Sequence, residues 1–247
     1  DQYKKITNMC RINYAQIALS DLNDIHIINI NSSNTLKHSE YVTCLLYISE
    51  FILASCSYDK TIKIWCLRTN TCIQILRGHT QAVTSIIKYN RKVLVSAGLD
   101  KTIKFWDVKG GRCLKTITLN TGTISAIAKV KTGIVSVGSD MKVRIWRNGN
   151  RMDILDEKLY ISSLYYHERR GLLFGGGLDK LVIWDIDNMK RTTILKVDSK
   201  NIYSINATVD YILFGGENGK LYSYNLDTQE IKELARTNGR IRTIEIL

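Results

Sequence analysis

The sequence predicts an all-β protein built as a radial array of four-stranded antiparallel sheets, and three observations support this prediction. The phrases SYDKTIKIW (57–65), GLDKTIKFW (98–106), GSDMKVRIW (138–146) and the shorter GLDKLVIW (177–184) recur along the chain. Candidate first strands recur every 36–41 residues, a period typical of repeat architectures, near Ile6, Val42, Val83, Ile124, Ile161, Ile202 and Ile241. Helical periodicity is convincing nowhere in the chain.

The unit at 82–119 shows how each repeat is expected to fold. AVTSIIKY, TIKFWDV and CLKTITL alternate apolar and polar residues, as half-buried strands do, whereas VLVSAG is continuously apolar, as a strand buried on both faces is. The short turns NRK, LDK and KGG separate these four segments. Each repeat is therefore expected to form one antiparallel meander of strands a, b, c and d.

Particular residues then suggest a family. The pair Gly78-His79 precedes the repeat at 82–119, Trp106-Asp107 lies in the third segment of that repeat, and Trp184-Asp185 lies in the third segment of another. All four tryptophans take the same position in their repeats. In these features the chain resembles the WD-repeat (WD40) β-propeller family across essentially its whole length. The resemblance implies that each sheet is a propeller blade.

The 247 residues are predicted to form a single domain. The expected blades span approximately 1–38, 39–79, 80–119, 120–157, 158–198 and 199–238, and 239–247 is expected to be the first strand of a further blade. We favour seven blades in the full protein, because an open ring would expose sheet edges. A six-bladed ring with a surplus terminal strand is the alternative.

The resemblance also implies a structural tetrad in a blade: His before strand a, Ser in strand b, Asp in the b–c turn and Trp in strand c. Blades 2 and 3 carry the full set, blade 4 has Asn120 in place of His, and blade 5 has Gly175 in place of Ser. Blades 1 and 6 have Ile28 and Tyr224 at the Trp position. The candidate tetrad residues are His38, Ser55, Asp59, Trp65, His79, Ser96, Asp100, Trp106, Ser136, Asp140, Trp146, Asp179 and Trp184.

A His–Ser–Asp set invites a catalytic interpretation, but here it recurs in successive repeats together with Trp, which hydrolysis would not require. We therefore expect no enzyme activity, no catalytic residues, no metal, no cofactor and no small-molecule substrate. The six cysteines form no C-x-x-C pair, which indicates reduced thiols in an intracellular, most simply cytoplasmic, protein. No apolar run is long enough to span a bilayer, and no signal-peptide pattern is present at the start.

The net charge of +12 is unevenly distributed in the expected fold. Acidic and basic residues balance in the loops at the d–a and b–c end of the blades, the top face. Basic residues dominate the a–b and c–d turns of blades 3–5 on the bottom face. They are Lys88, Arg91, Lys92, Lys109, Arg112, Lys129, Lys131, Arg147, Arg151, Arg169, Arg170, Lys190 and Arg191.

Two explanations of this basic sector stay open: a solvated rim that keeps the protein soluble, and a surface for an acidic partner. The function expected is a non-catalytic protein–protein interaction scaffold within a larger protein or complex. The alternative is a propeller that binds RNA or an anionic membrane. Candidate partner residues on the top face, for which local packing is the competing explanation, are Tyr41, Tyr58, Gln81, Leu99, Thr123, Tyr160 and Leu178.

Overall fold

Alternation of apolar and polar residues produces strands through the described residues from Ile6 to Arg236. The structure is a computed structural model that describes residues 6–13, 16–29, 33–119, 121–147, 151–156 and 158–246. Its 24 strands form six four-stranded sheets, each an antiparallel meander in chain order. The predicted all-β class and the six complete blades are thus confirmed. The described residues contain no helix.

Blades 1 to 3 occupy the first half of the chain. Blade 1 contains β1 (Ile6–Asn13), β2 (Gln16–Asp21), β3 (Asp24–Asn29) and β4 (Ser33–Lys37). Blade 2 contains β5 (Val42–Ser49), β6 (Ile52–Ser57), β7 (Ile62–Cys66) and β8 (Thr71–Leu76). Blade 3 contains β9 (Val83–Lys88), β10 (Val93–Gly98), β11 (Thr102–Asp107) and β12 (Cys113–Thr118).

Blades 4 to 6 occupy the second half. Blade 4 contains β13 (Ile124–Val130), β14 (Gly133–Gly138), β15 (Lys142–Arg147) and β16 (Arg151–Asp156). Blade 5 contains β17 (Ile161–His167), β18 (Leu172–Gly177), β19 (Lys180–Asp185) and β20 (Lys190–Lys196). Blade 6 contains β21 (Ile202–Ala207), β22 (Tyr211–Gly216), β23 (Lys220–Asn225) and β24 (Ile231–Arg236).

The chain divides into two compact units, with the boundary between Ile124 and Ser125. In the first unit, apolar faces of neighbouring blades form two cores, one around Leu53 and Trp65 and one around Ile64 and Trp106. In the second unit, the corresponding cores are centred on Val182 with Trp184 and on Phe174 with Phe214. The tryptophans and phenylalanines thus join successive blades within each unit, since burial of large apolar side chains is the main stabilising contribution.

Each blade presents two ends with different loops. At the top end the b–c turn binds the d–a loop, as where Tyr58 N–H donates to the carbonyl oxygen of Tyr41 at 2.9 Å. At the bottom end the c–d turn binds the a–b turn, as where Leu67 N–H donates to the carbonyl oxygen of Phe51 at 2.7 Å. Candidate partner residues in these loops are therefore held by backbone hydrogen bonds.

The expectation of a strand over 239–247 is not met, because residues 237–246 form no regular strand in the structure. They nevertheless lie against blade 6: Ile241 N–H donates to Gly216 O at 2.8 Å, and Asn206 Nδ2 donates to Ile244 O at 3.0 Å. A strand is defined by its ladder of hydrogen bonds, and no described strand pairs with this segment. A further blade, and the blade boundaries derived from the repeat, stay predictions.

Candidate functional site

In blade 3 one buried hydrogen-bond network joins four side chains. His79 Nδ1 lies 2.8 Å from Asp100 Oδ2, and His79 Nε2 lies 2.7 Å from Ser96 Oγ. Trp106 Nε1 donates to the same Ser96 oxygen at 2.8 Å. All four side chains are removed from solvent, so every polar atom in the network needs a partner within the protein.

Blade 2 repeats this network with the same geometry. His38 bridges Asp59 and Ser55, with both distances 2.7 Å, and Trp65 Nε1 donates to Ser55 Oγ at 2.7 Å. These are the residues that the family resemblance implies for the two complete tetrads. Their interactions link the d–a loop, strand b, the b–c turn and strand c of one blade, and their contribution to stability is a prediction that the Discussion takes up.

The two aspartates of these networks are held in the ionised form. Burial alone raises the pKa of Asp100, but hydrogen bonds from His79, Thr80 N–H and Thr102 outweigh it and hold that pKa well below its usual range. Asp59 behaves in the same way, because hydrogen bonds from His38 and Thr61 outweigh the burial that raises its pKa. The networks are thus ionic at neutral pH.

In blade 4 an arginine binds the aspartate of the b–c turn in place of the missing histidine. The sequence analysis did not predict this replacement. Arg144 donates from Nη1 to Asp140 Oδ1 at 3.1 Å and from Nη2 to Asp140 Oδ2, and its side chain is only 5% exposed. Trp146 Nε1 still donates to Ser136 Oγ at 2.9 Å. Asn120, the expected substitute for His, lies outside the described residues. The only available signal was Arg144 itself, two residues before the repeat tryptophan.

Blade 5 shows why Gly175 stands at the Ser position. A Cβ atom on Gly175 would lie 2.5 Å from ring atoms of Trp184, which is itself fully buried. No side chain fits there without movement of the tryptophan. Asp179 adopts a left-handed backbone conformation (φ 49°) in the b–c turn.

Blade 6 carries a polar cluster that sequence analysis missed. Asp198, at the His position of the repeat, forms an ion pair with Lys220, and Asn218 Nδ2 donates to its carbonyl oxygen. Tyr222 Oη donates to that carbonyl oxygen at 3.0 Å, and Lys220 also lies 3.4 Å from Glu233. The hydrogen bond from Lys220 lowers the pKa of Asp198. The d–a loop and b–c turn thus remain joined by other residue types.

The candidate top-face residues differ in exposure. In the first unit, Tyr41 and Tyr58 are 52% and 51% exposed, and their rings meet edge to face with centroids 6.3 Å apart. Gln81 is also exposed, whereas Leu99 and Thr123 are half-buried. In the second unit, Leu178 is 54% exposed and Tyr160 is half-buried. The tyrosine pair is therefore the largest accessible contact surface in this set.

The basic residues of blade 3 lie at its bottom end. Arg91, Lys92 and Lys109 are exposed. Arg112 faces Asp107 at 3.7 Å, and Lys88 Nζ donates to the carbonyl oxygen of Ile48 at 2.6 Å. Lys88 thus connects blade 3 to blade 2, while the exposed residues remain accessible to a partner.

In the second unit two of the candidate arginines already have structural partners. Arg147 forms an ion pair with Asp153 at 3.0 Å, and Arg170 pairs with Asp227 of blade 6 at 2.6 Å. Candidate residues that are exposed here are Lys129, Lys131, Arg169, Arg170, Lys190 and Arg191. The side chain of Arg151 lies outside the described part of the chain.

The aromatic residues near the basic turns are engaged in packing. Tyr89 meets Phe105 edge to face at 5.7 Å, and Tyr165 and Tyr166 pack against the cores of the second unit. His167 is buried, accepts a hydrogen bond from Arg170 N–H and contacts the carbonyl oxygen of Thr208 at 3.2 Å. None of these rings is arranged as an open stacking platform for bases.

Among the described residues, no cluster of three or more His, Cys, Asp or Glu side chains is arranged to hold a metal ion. No helix in this part of the chain is long and apolar enough to cross a membrane.

Six successive four-stranded antiparallel blades, joined by short turns and packed within each unit through buried aromatic side chains, define the β-propeller class of repeat proteins. The sequence profile of the family "WD domain, G-beta repeat" matches residues 31–66 and 70–107. An F-box protein of Saccharomyces cerevisiae is 46% identical over 43 residues, which are 17% of this chain and 7% of that protein. Residues 31–107 of the chain thus carry two WD repeats, and the chain spans only a small part of the length of the relative that it matches.

Proposed function

We propose that the chain is a non-catalytic scaffold that docks protein partners through the exposed loops of its blades. One observation carries this proposal: Tyr41 and Tyr58 present two half-exposed aromatic rings in fixed relative geometry at the top end of blade 2. Tyrosine is a frequent anchor in protein interfaces, because it offers a large apolar area at a small entropic cost. Leu178 offers a similar exposed apolar side chain on the second unit.

We also propose docking surfaces for a partner with an acidic surface or tail at the bottom turns of blade 3 in the first unit and at those of blades 4 and 5 in the second. Their exposed cations are Lys88, Arg91, Lys92, Lys109 and Arg112 in the first unit and Lys129, Lys131, Arg169, Arg170, Lys190 and Arg191 in the second. Such charges raise the rate of association with an acidic partner, and salt weakens the effect. RNA or an anionic membrane is the alternative ligand, but the packed state of Tyr89, Tyr165 and Tyr166 favours an acidic protein.

The tyrosine surface is tested by quantitative affinity capture from the source cell with wild type and the Tyr41→Ala/Tyr58→Ala double variant. Ile73→Ala is the matched control, since Ile73 is 55% exposed but lies in the outermost strand of the same blade. We expect a defined set of partners to fall at least tenfold with the double variant alone. Retention of every partner by the double variant would contradict this surface.

The basic surface is tested by reversing Arg91, Lys92 and Lys109 to Glu. The control reverses Lys37, at the end of β4, and Lys60 and Lys101 in b–c turns, which lie at the top end of blades in the same unit and change the net charge equally. We expect only the bottom-turn variant to lose an acidic partner, and moderately raised salt to mimic that loss. Arg147 and Arg170 are left unchanged, because their ion pairs would confound the result. A single-stranded RNA probe and anionic vesicles distinguish the alternative ligands.

A further inference from the structure

Blade 2 places two cysteines directly opposite each other in its antiparallel ladder. Cys44 of β5 and Cys56 of β6 are partner residues in the register of these strands. Opposite residues of an antiparallel pair point to the same face, and their Cα atoms are about 4.5–5.5 Å apart. A disulfide requires a Cα separation of about 4.4–6.8 Å, so the rung is compatible with a cross-strand bond.

The two residues are in direct contact. The Cys56 thiol donates a hydrogen bond to the backbone carbonyl oxygen of Cys44 at 3.9 Å. The nearby Cys56 side chain lowers the pKa of Cys44, whereas burial raises the pKa of Cys56. Since the thiolate is the nucleophile in disulfide exchange, Cys44 is the group prepared for attack.

Accessibility gives the same order of events. Cys44 is half-buried, while Cys56 has no exposed surface. An external disulfide can therefore reach Cys44 before it reaches Cys56. Cys56 then acts as the resolving thiol, which attacks the mixed disulfide on Cys44. Both residues belong to the core between blades 2 and 3.

A second cysteine pair in the same blade provides an internal contrast. Cys66 of β7 stands opposite Thr71, and Cys72 of β8 stands opposite Trp65. Because successive side chains on a strand alternate between faces, Cys66 and Cys72 point to opposite sides of the sheet. Proximity in neighbouring strands alone does not make an exchange site.

We propose that Cys44 and Cys56 form a thiol–disulfide exchange site for a small disulfide of the oxidised glutathione class. The Cys44 thiolate attacks one sulfur of the external disulfide, which forms a mixed disulfide and releases one small thiolate. That thiolate takes the Cys56 proton, and the Cys56 thiolate attacks the Cys44 sulfur and expels the second small thiolate, which is protonated by solvent. Two protein thiols are oxidised to one cross-strand disulfide, and one external disulfide is reduced to two thiols.

The test equilibrates the native protein with mixtures of reduced and oxidised glutathione and then blocks free thiols with N-ethylmaleimide. Proteases specific for Glu and for Lys cleave after Glu40, Glu50 and Lys60, so that Cys44 and Cys56 fall on different peptides that contain no other cysteine. We expect a linked peptide pair that separates on reduction, formed at a ratio at which the exposed Cys72 and Cys113 carry only glutathione. Cys56→Ala is expected to trap glutathione on Cys44, and Cys44→Ala to leave Cys56 free.

Two results would overturn the proposal. One is a Cys44 that remains fully blocked by N-ethylmaleimide at ratios that modify Cys72. The other is a Cys44–Cys56 link that forms only in urea, or a link that joins another pair instead. The wild-type titration needs no substitution, and tryptophan fluorescence recorded alongside it shows that the protein stays folded, so the test holds even if an alanine variant fails to fold.

Discussion

Arg144 and Asp140 form a buried, bidentate ion pair in blade 4. In blades 2 and 3 the aspartate at the same position of the b–c turn is bound to a histidine instead. The residues at the position of Arg144 in those blades are Lys63 and Lys104, which bind a carbonyl oxygen and a threonine hydroxyl near the surface instead. An arginine on strand c thus supplies the cation that the turn aspartate requires. The same aspartate position is retained with a different partner.

Loss of this ion pair should strongly destabilise the protein. We expect Arg144→Met to lower the free energy of unfolding by about 3–5 kcal/mol, because it leaves Asp140 charged and poorly solvated. Lys104→Met, at the equivalent position of blade 3, should cost less than about 1 kcal/mol. Urea denaturation followed by tryptophan fluorescence measures both. Equal costs for the two variants would show that the ion pair is not the cause.

Removal of a network histidine should affect stability and not a reaction. His79→Ala is expected to cost about 2 kcal/mol, because Ser96 and Asp100 lose a buried hydrogen-bond partner. His26→Ala is the control, since His26 contacts Thr35 at 3.3 Å in an exposed setting. The readout is again the urea midpoint. A hydrolase activity abolished by His79→Ala would contradict the scaffold interpretation.

Stability should decrease at acidic pH through the two network aspartates. The folded state lowers the pKa of Asp59 and Asp100, so each contributes stability above its unfolded pKa of about 3.9 and loses it as the pH falls further. We expect the urea midpoint to decrease from about pH 5 towards about pH 2. Asp100→Asn should flatten this dependence. An unchanged slope in that variant would assign the effect to other carboxylates.

Serine at the position of Gly175 in blade 5 should lower the stability of the protein rather than complete the tetrad of that blade. Gly175→Ser places a Cβ 2.5 Å from the Trp184 ring, and we expect a loss of about 1–3 kcal/mol from overpacking. Gly239→Ala serves as the control, because no atom lies within 4 Å of a Cβ built there. Thermal unfolding of both variants gives the comparison. A more stable Gly175→Ser protein would show that the tryptophan can move.

Much of the local arrangement could be predicted from the sequence. The first strands of blades 2 and 3 begin at Val42 and Val83, as the repeat indicates. The hydrogen bonds of His79 with Asp100 and Ser96 join residues that the resemblance names. Strand alternation and turn residues are local properties of the chain, and in a repeat protein the same pattern occurs several times. These features can therefore be predicted from the sequence.

Other features depended on which groups meet in three dimensions. Charge counting placed Arg147 and Arg170 in a basic sector, but Arg147 is paired with Asp153 of β16 and Arg170 with Asp227 of the turn between β23 and β24. Likewise the ion pair of Asp198 with Lys220 joins residues 22 positions apart that show no shared motif. The direction of a long flexible side chain depends on the partner available nearby, and periodicity carries no information about that partner.

The sequence by itself therefore indicated the strands, their order and the period of the blades, because apolar alternation and recurring motifs act locally. The family resemblance indicated which residues form the two complete histidine networks. Only the tertiary structure decided that Arg144 replaces a histidine, that Gly175 makes room for Trp184, and that Cys44 faces Cys56. These outcomes follow from strand register and from the need of every buried polar group for a partner, both of which are set when distant segments pack together.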